Sequence, residues 1–247
     1  EGKNILNRNA SDETRKLADD ATEGVLADCR AALLEVRDKR VWPERDHKAL
    51  VDWNAMMIAA LAHSGNLLGR RDWTHHAEAV FDFVCRNMIE DGRFRHSWRD
   101  GKARHTAVLD DYAHMIRAAL VLYEATANGV YLDQAEAWMA IVNGRYWDAD
   151  GGGYFLSADD TTDVITRSKT IADNAVPSGN GVMAEVLARL YLLGGKEDYR
   201  EQAERLIRTF SSSQARNLVS LPGLMMGYEI LERALCIVIV GDDDGLL

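Results

Sequence analysis

The sequence predicts an all-α fold built from repeated antiparallel helical hairpins, the unit of an (α/α) toroid. Three observations carry this. One helical block recurs three times along the chain. The two helices of each repeat differ in hydrophobic pattern. Proline is rare, 3 in 247 residues, which suits long helices because proline removes a helix hydrogen bond and clashes with the preceding turn.

In chain order, the first element is an amphipathic helix from about Ser11, a candidate N-cap, to about Val36. Leu17, Ala21, Val25, Cys29 and Leu33 recur there every four residues, as one helix face requires. It reads as the outer partner of a missing inner helix. Asp52 to Leu61 then aligns with Asp111 to Leu120, and Ser178 to Leu187 supplies a third copy in which Asn54 falls on Asn180. These blocks are apolar nearly all round, so they predict buried inner helices over 52–67, 111–127 and 178–193. Each is followed by a half-polar segment. Asp72-Trp73 matches Asp198-Tyr199, Ala77-Glu78 matches Ala203-Glu204, and Ala135-Glu136 lies one residue out of register. Tyr199, Ala203, Leu206, Ile207 and Phe210 keep helical spacing with charges between them, which predicts outer helices over 72–88, 131–145 and 197–212. Pro222-Gly223 opens a fourth unit, and the β-branched run from Ile237 to Val240 predicts a short strand.

Residues 1–236 are therefore expected to form part of a single (α/α) barrel domain, with 237–247 a strand-like extension. The chain starts at Glu1 and ends soon after an apolar run followed by Gly241 and three aspartates, so both ends read as cuts within a longer protein. A closed six-hairpin ring at roughly 50 to 60 residues per unit needs about 300 residues, so the ring is expected to be incomplete.

Acidic residues outnumber basic ones 39 to 29, a net charge of −10. Such a surface repels phosphate backbones and anionic lipid, so neither nucleic acid nor membrane is expected as a partner. No run reaches the roughly 18 apolar residues of a membrane span. Cys29, Cys85 and Cys236 are odd in number, far apart and set among apolar residues. They read as buried hydrophobes in a reducing, cytoplasmic compartment, without a CxxC pair for redox or zinc chemistry.

Chemistry is expected in the loops ahead of the inner helices, because their free N–H groups and positive dipole ends favour carboxylates and hydroxylated ligands. The first loop runs from Trp42 through Lys48 to Trp53-Asn54. The second ends at Leu109-Asp110-Asp111-Tyr112. The third holds Gly151-Gly152-Gly153-Tyr154-Phe155, then Arg167, Lys169, Asp173 and Pro177-Ser178-Gly179-Asn180.

These segments resemble, in order and spacing, those of the YyaL-type family, which includes the spermatogenesis-associated thioredoxin-domain proteins. The matching residues are Lys48, Leu50, Trp53, Asn54, Met57 and Ile58; Leu109 to Ala113; Gly152, Gly153 and Phe155; Arg167, Lys169 and Asp173; and Pro177 to Asn180. His47, Ala55, Tyr154 and Asn174 depart from the family pattern. The resemblance covers nearly the whole chain. It implies an (α/α)6 barrel of the six-hairpin glycosidase and N-acylglucosamine 2-epimerase type, with the other hairpins and a thioredoxin-like domain elsewhere in the full-length chain.

On this reading Asp111 and Asp173 are the candidate catalytic pair, since two carboxylates across a cleft serve as acid and base or nucleophile. A separation of about 5 to 9.5 Å would suit glycoside chemistry. Lys48, Trp53, Asn54, Asp110, Tyr112, Arg167, Lys169, Ser178 and Asn180 are candidate substrate-binding residues, with a sugar or sugar derivative as ligand. The aromatic rings would stack on sugar faces, the amides and hydroxyl bond sugar hydroxyls, and the two cations take an anionic group. The same residue types also serve as helix caps, core aromatics and structural ion pairs. A non-catalytic ring that binds a partner or presents a thioredoxin-like domain is thus the alternative. His96 and His105 in the second loop suit acid–base work. No histidine pair sits at i, i+4 beside a matching acid, and the glycine run precedes no Lys-Ser/Thr signature. No metal or cofactor is therefore expected.

Overall fold

The computed structural model describes residues 20–214, 218–235 and 237. The proposed Ser11 cap, Cys236 and the expected strand beyond Ile237 lie outside the described residues. The chain divides into two compact units, Glu1–Asp46 and His47–Leu247. The first contains α1 (Asp20–Asp38), with Val25, Leu33 and Val36 exposed.

The second unit holds seven helices among the described residues: α2 (Val51–Leu67), α3 (Arg71–Asn87), α4 (Leu109–Thr126), α5 (Gly129–Arg145), α6 (Gly179–Gly194), α7 (Glu197–Gln214) and α8 (Pro222–Arg233). Packing follows the repeat. Helix α2 lies against α4, α4 against α6 and α6 against α8, while α3, α5 and α7 fold back on α2, α4 and α6 in turn. Residues Asp111 to Ile116 of α4 and Gly179 to Ala188 of α6 are buried without interruption, as expected of inner helices. Outer helices bury one stripe, Ala77, Phe81 and Val84 on α3. Phe81 meets the Tyr131 ring of α5 edge-on at 5.2 Å, joining neighbouring outer helices. Such edge-to-face contacts favour the ring quadrupoles.

One connection differs from expectation. The stretch between α3 and α4, read from sequence as a loop, contains β2 (Ile89–Glu90), β3 (Arg93–Arg99) and β4 (Lys102–Thr106). Asp91-Gly92 and Asp100-Gly101 all have positive φ and form two-residue turns, closing the pairs Glu90 with Arg93 and Arg99 with Lys102. Glycine takes that conformation freely and aspartate tolerates it, which makes Asp-Gly the favoured dipeptide for a tight hairpin. Strand β3 also pairs with β1 (Ala49–Leu50), Leu50 opposite Ser97. That pairing ties the hairpin to the residues just ahead of α2.

Helices α6 and α8 approach so closely that side chains are excluded at the contact. A Cβ on Gly227 would lie 2.6 Å from the Ala184 Cβ and 2.7 Å from the Ala184 carbonyl carbon and the Glu185 nitrogen. Backbone atoms cannot swing aside, so the helices would have to part. Gly144, on the outer helix α5, has nothing within 4 Å of its would-be Cβ. Gly227→Ala should therefore lower unfolding stability by about 1–3 kcal/mol, whereas Gly144→Ala should raise it by about 0.5–1 kcal/mol through helix propensity. Urea unfolding of the two variants checks this. Equal stability for Gly227→Ala and the parent would mean that the α6–α8 seam is looser than described.

Candidate active site

The starts of α2, α4 and α6 meet at one end of the arc, and three aspartates fill the space between them. Asp110 and Asp111 are consecutive on α4. Neighbouring residues on a helix point about 100° apart, so the two side chains diverge toward the helices on either side. Asp111 turns toward α2. Its Oδ1 accepts the Asp52 N–H at 3.2 Å, and its Oδ2 accepts the Val108 N–H of its own helix start at 2.9 Å. Asp110 turns toward α6 and accepts the Gly179 N–H at 2.7 Å. A Cβ on Gly179 would come within 2.2 Å of that Asp110 oxygen, so glycine is what lets the carboxylate reach the helix.

His96, carried on β3, joins the aspartates. Its Nδ1 lies 2.9 and 3.0 Å from the two Asp111 oxygens, and its side chain is 30% exposed while that of Asp111 is fully buried. The hydrogen bond to Asp111 raises the imidazole pKa above its ordinary value. Burial pushes the Asp111 carboxyl up, with His96 and the Val108 N–H pulling against it. Asp110 is pushed up to about 6, mainly by burial, opposed by the Gly179 N–H and reinforced by the neighbouring Asp111 and Asp52 charges. Asp52, itself buried, accepts the Trp53 N–H at 2.8 Å. Asp52, His96 and Asp111 bring donor atoms within 4.8 Å of one another, a set of oxygen and nitrogen ligands that suits a divalent cation. Each Asp111 oxygen faces both a backbone N–H and the His96 Nδ1, so hydrogen bonding accounts for the Asp111–His96 contact.

The other residues singled out in the sequence fall into three groups. Asp173 and Ser178 work at helix starts. Asp173 accepts the Ser178 N–H at 2.8 Å and the Gly223 N–H at 2.6 Å, which links α6 to α8. Asp173 and Asp110 thus accept from consecutive N–H groups at the beginning of α6. The Ser178 hydroxyl accepts the Gly181 N–H and donates to the Ile171 carbonyl.

Asn180, Arg167 and Lys169 hold the glycine-rich loop. The Asn180 amide accepts the Tyr154 N–H and donates to the Tyr154 and Thr170 carbonyls. Arg167 stacks 4.1 Å from the Phe155 ring and donates to the Ser157 and Arg145 carbonyls. Lys169 bonds Asp148 at 2.5 Å and the Gly152 carbonyl at 2.7 Å. N–H groups from Gly151 and Asp150, together with Lys169, hold the Asp148 carboxyl down to about 2. Lys169 thus forms a structural ion pair, with Asp148 as its partner.

The first-loop residues and Tyr112 complete the set. Tyr112 is buried, its hydroxyl accepting the Phe94 N–H at 3.2 Å. The Asn54 amide donates to the Leu50 carbonyl. Lys48 is exposed ahead of β1, and Trp53, next to Asp52, is 60% exposed.

An arc of paired helices whose inner members start together around a cluster of acids defines an (α/α) toroid of the glycosidase and sugar-epimerase kind. The sequence pattern of glycosyl hydrolase family 76 matches residues 36–227, and the chain belongs to that family. Among curated relatives, spermatogenesis-associated protein 20 of Rattus norvegicus is 32% identical over 222 residues, covering 85% of this chain and 28% of that protein. The chain thus spans less than a third of that relative. Among solved structures, a family 76 glycoside hydrolase from a bovine Bacteroides thetaiotaomicron strain superposes with a TM-score of 0.59 at 14% identity, over 77% of this chain and 44% of the other. Cellobiose 2-epimerase from Bacillus thermoamylovorans gives 0.56 at 13% identity, over 68% and 46%. At such identities the likeness is one of fold. No helix among the described residues is long and apolar enough to cross a membrane.

The raised Asp110 value has a consequence for stability. An unfolded aspartate releases its proton near pH 4, whereas folded Asp110 holds it to about 6. Its contribution to folding is complete below the unfolded value and is lost as pH rises through about 6. Urea unfolding between pH 4 and 6.5 should show this loss in the parent and a flatter profile in Asp110→Asn. Parallel profiles would place the Asp110 titration back in the ordinary range.

Proposed function

We propose that the chain forms the acid-bearing part of a sugar-processing toroid, a glycoside hydrolase or a sugar isomerase/epimerase, in which Asp110 is the general acid/base. The observation that carries this is the placement of the Asp110 carboxyl, half-buried where the inner helices start and bonded to the Gly179 N–H, a setting in which burial pushes its pKa up to about 6. A proton donor works best with a pKa near the operating pH. Asp173, which shares the start of α6 with Asp110, is the candidate second carboxylate. Trp53, next to Asp52, offers an exposed ring for a sugar face, with Lys48 and Asn54 as further candidate contacts. The membership of family 76 and the epimerase-like fold support a sugar or sugar derivative as ligand. The full-length protein supplies the rest of the ring.

A second reading, a non-catalytic helical ring, is favoured by the engagement of both Asp111 and Asp173 with backbone N–H groups. The two readings part on Asp110→Asn. The amide oxygen can still accept the Gly179 N–H, so the helix junction survives while the transferable proton is lost. Full-length protein should be assayed against a panel of glycosides for cleavage and free aldoses for epimerisation or isomerisation. The catalytic reading expects Asp110→Asn to lower the rate about 10²- to 10⁴-fold with stability retained. Turnover unchanged in Asp110→Asn, or no turnover in the parent across the panel, would decide for the ring.

A further inference from the structure

We infer that His96 is the positioning residue of this site: clamped to both oxygens of Asp111, its imidazolium keeps that carboxylate ionised and aimed at the starts of α2 and α4, which leaves Asp110 as the proton-carrying acid. This deepens the proposal above and rests on it for the role of Asp110.

Asp111 has no exposed surface. A buried carboxylate stays charged only where a counter-charge and hydrogen bonds replace water. Its N–H partners from Asp52 and Val108 are neutral dipoles, so His96, touching both oxygens, is the partner able to carry a full charge. The charged groups facing the imidazole are Asp52 from α2 and Asp110 and Asp111 from α4, while α6 contributes the neutral Gly179 N–H to Asp110. Acids crowded into one dry site do not all ionise together. The imidazolium favours ionisation of the acid it clamps, and Asp110, bonded to a single backbone N–H, holds its proton to higher pH than an ordinary aspartate.

The placement of His96 is set by backbone. Strand β3 is held on one edge by β1, immediately ahead of α2, and on the other by β4. A side chain on a strand paired on both edges is held more rigidly than one on an open loop. The hairpin therefore delivers a cation-forming side chain to the junction of acids. A structural clamp would need only an N–H donor, which glutamine also supplies. The positioning role needs the charge.

The test is a ¹³C NMR titration of histidine rings in the full-length protein, with His96 assigned through its β3 neighbours. His96 should hold its proton to higher pH than ordinary imidazoles, near 6.5, and Asp111→Asn should return it to that range. His96→Gln keeps a donor but removes the charge, so the acid cluster should take up a proton at neutral pH. The stability loss tied to Asp110 should then extend to higher pH than in the parent. A His96 titration in the ordinary range in the parent, or one indifferent to Asp111→Asn, overturns the inference. If His96→Gln does not fold, the comparison of parent with Asp111→Asn decides alone. Absence of sugar turnover would remove the catalytic role of Asp110 and leave the titration result standing, so the two failures are distinguishable.

Discussion

Each inner helix begins with amide groups that its own turns cannot satisfy, and in this chain aspartates from neighbouring units supply the missing acceptors. Asp111 reaches from α4 to the start of α2, Asp110 from α4 to the start of α6, and Asp173 joins the starts of α6 and α8. Everything else at this end follows from that constraint. The glycine at 179 is there because a Cβ would collide with Asp110, and the bare Gly181–Gly223 contact lets α8 come near enough to share Asp173. Carboxylate bonds to helix starts are charge-assisted and about twice as strong as neutral ones. The same bonds draw several acids into a space with little water, and that burial, reinforced by the neighbouring charges, is what pushes the Asp110 carboxyl up.

The helices were legible because the repeat states them twice over. The expected inner helix over 52–67 is Val51–Leu67, and that over 178–193 is Gly179–Gly194; the outer one over 72–88 is Arg71–Asn87. Residues apolar on every side have no stable place but between other helices, so pattern alone separated inner from outer. The hairpin of β3 and β4 was not read, although two Asp-Gly dipeptides marked its turns. Strand β3 does alternate, with Arg93, Arg95 and Arg99 on one face and Phe94, His96 and Trp98 on the other, but β4, Lys102-Ala103-Arg104-His105-Thr106, is short and polar and carries no such signal. Missing the hairpin also hid the place of His96, which depends on β1 pairing with β3.

Candidate site residues were harder to interpret than to find. Aspartate, serine and asparagine ahead of a helix satisfy the same N–H groups whether or not a ligand ever arrives. Which of them a substrate could meet depends on direction, and direction comes from packing. Asn180 reads like Asn54 in the repeat, yet it is wholly buried and grips the Tyr154 peptide on both sides. Asp110 and Asp111 are chemically identical neighbours in sequence. A rotation of about 100° gives one to a histidine in the interior and the other to a half-open junction.

Inner helices that touch only their neighbours in sequence make the second unit behave like a linear lattice. Its stability is a sum of one intrinsic term per hairpin and one coupling term per seam. Helices α4 and α6 have a coupled inner partner on both sides, whereas α2 and α8 have one each among the described elements. In this segment taken by itself, thermal opening would start at an end of the arc and travel inward. When α2 departs, Asp111 loses the Asp52 amide while α4, α6 and α8 stay folded, so the acid cluster can fail before the arc does. A site assembled across repeats is as rigid as the least supported hairpin that contributes to it.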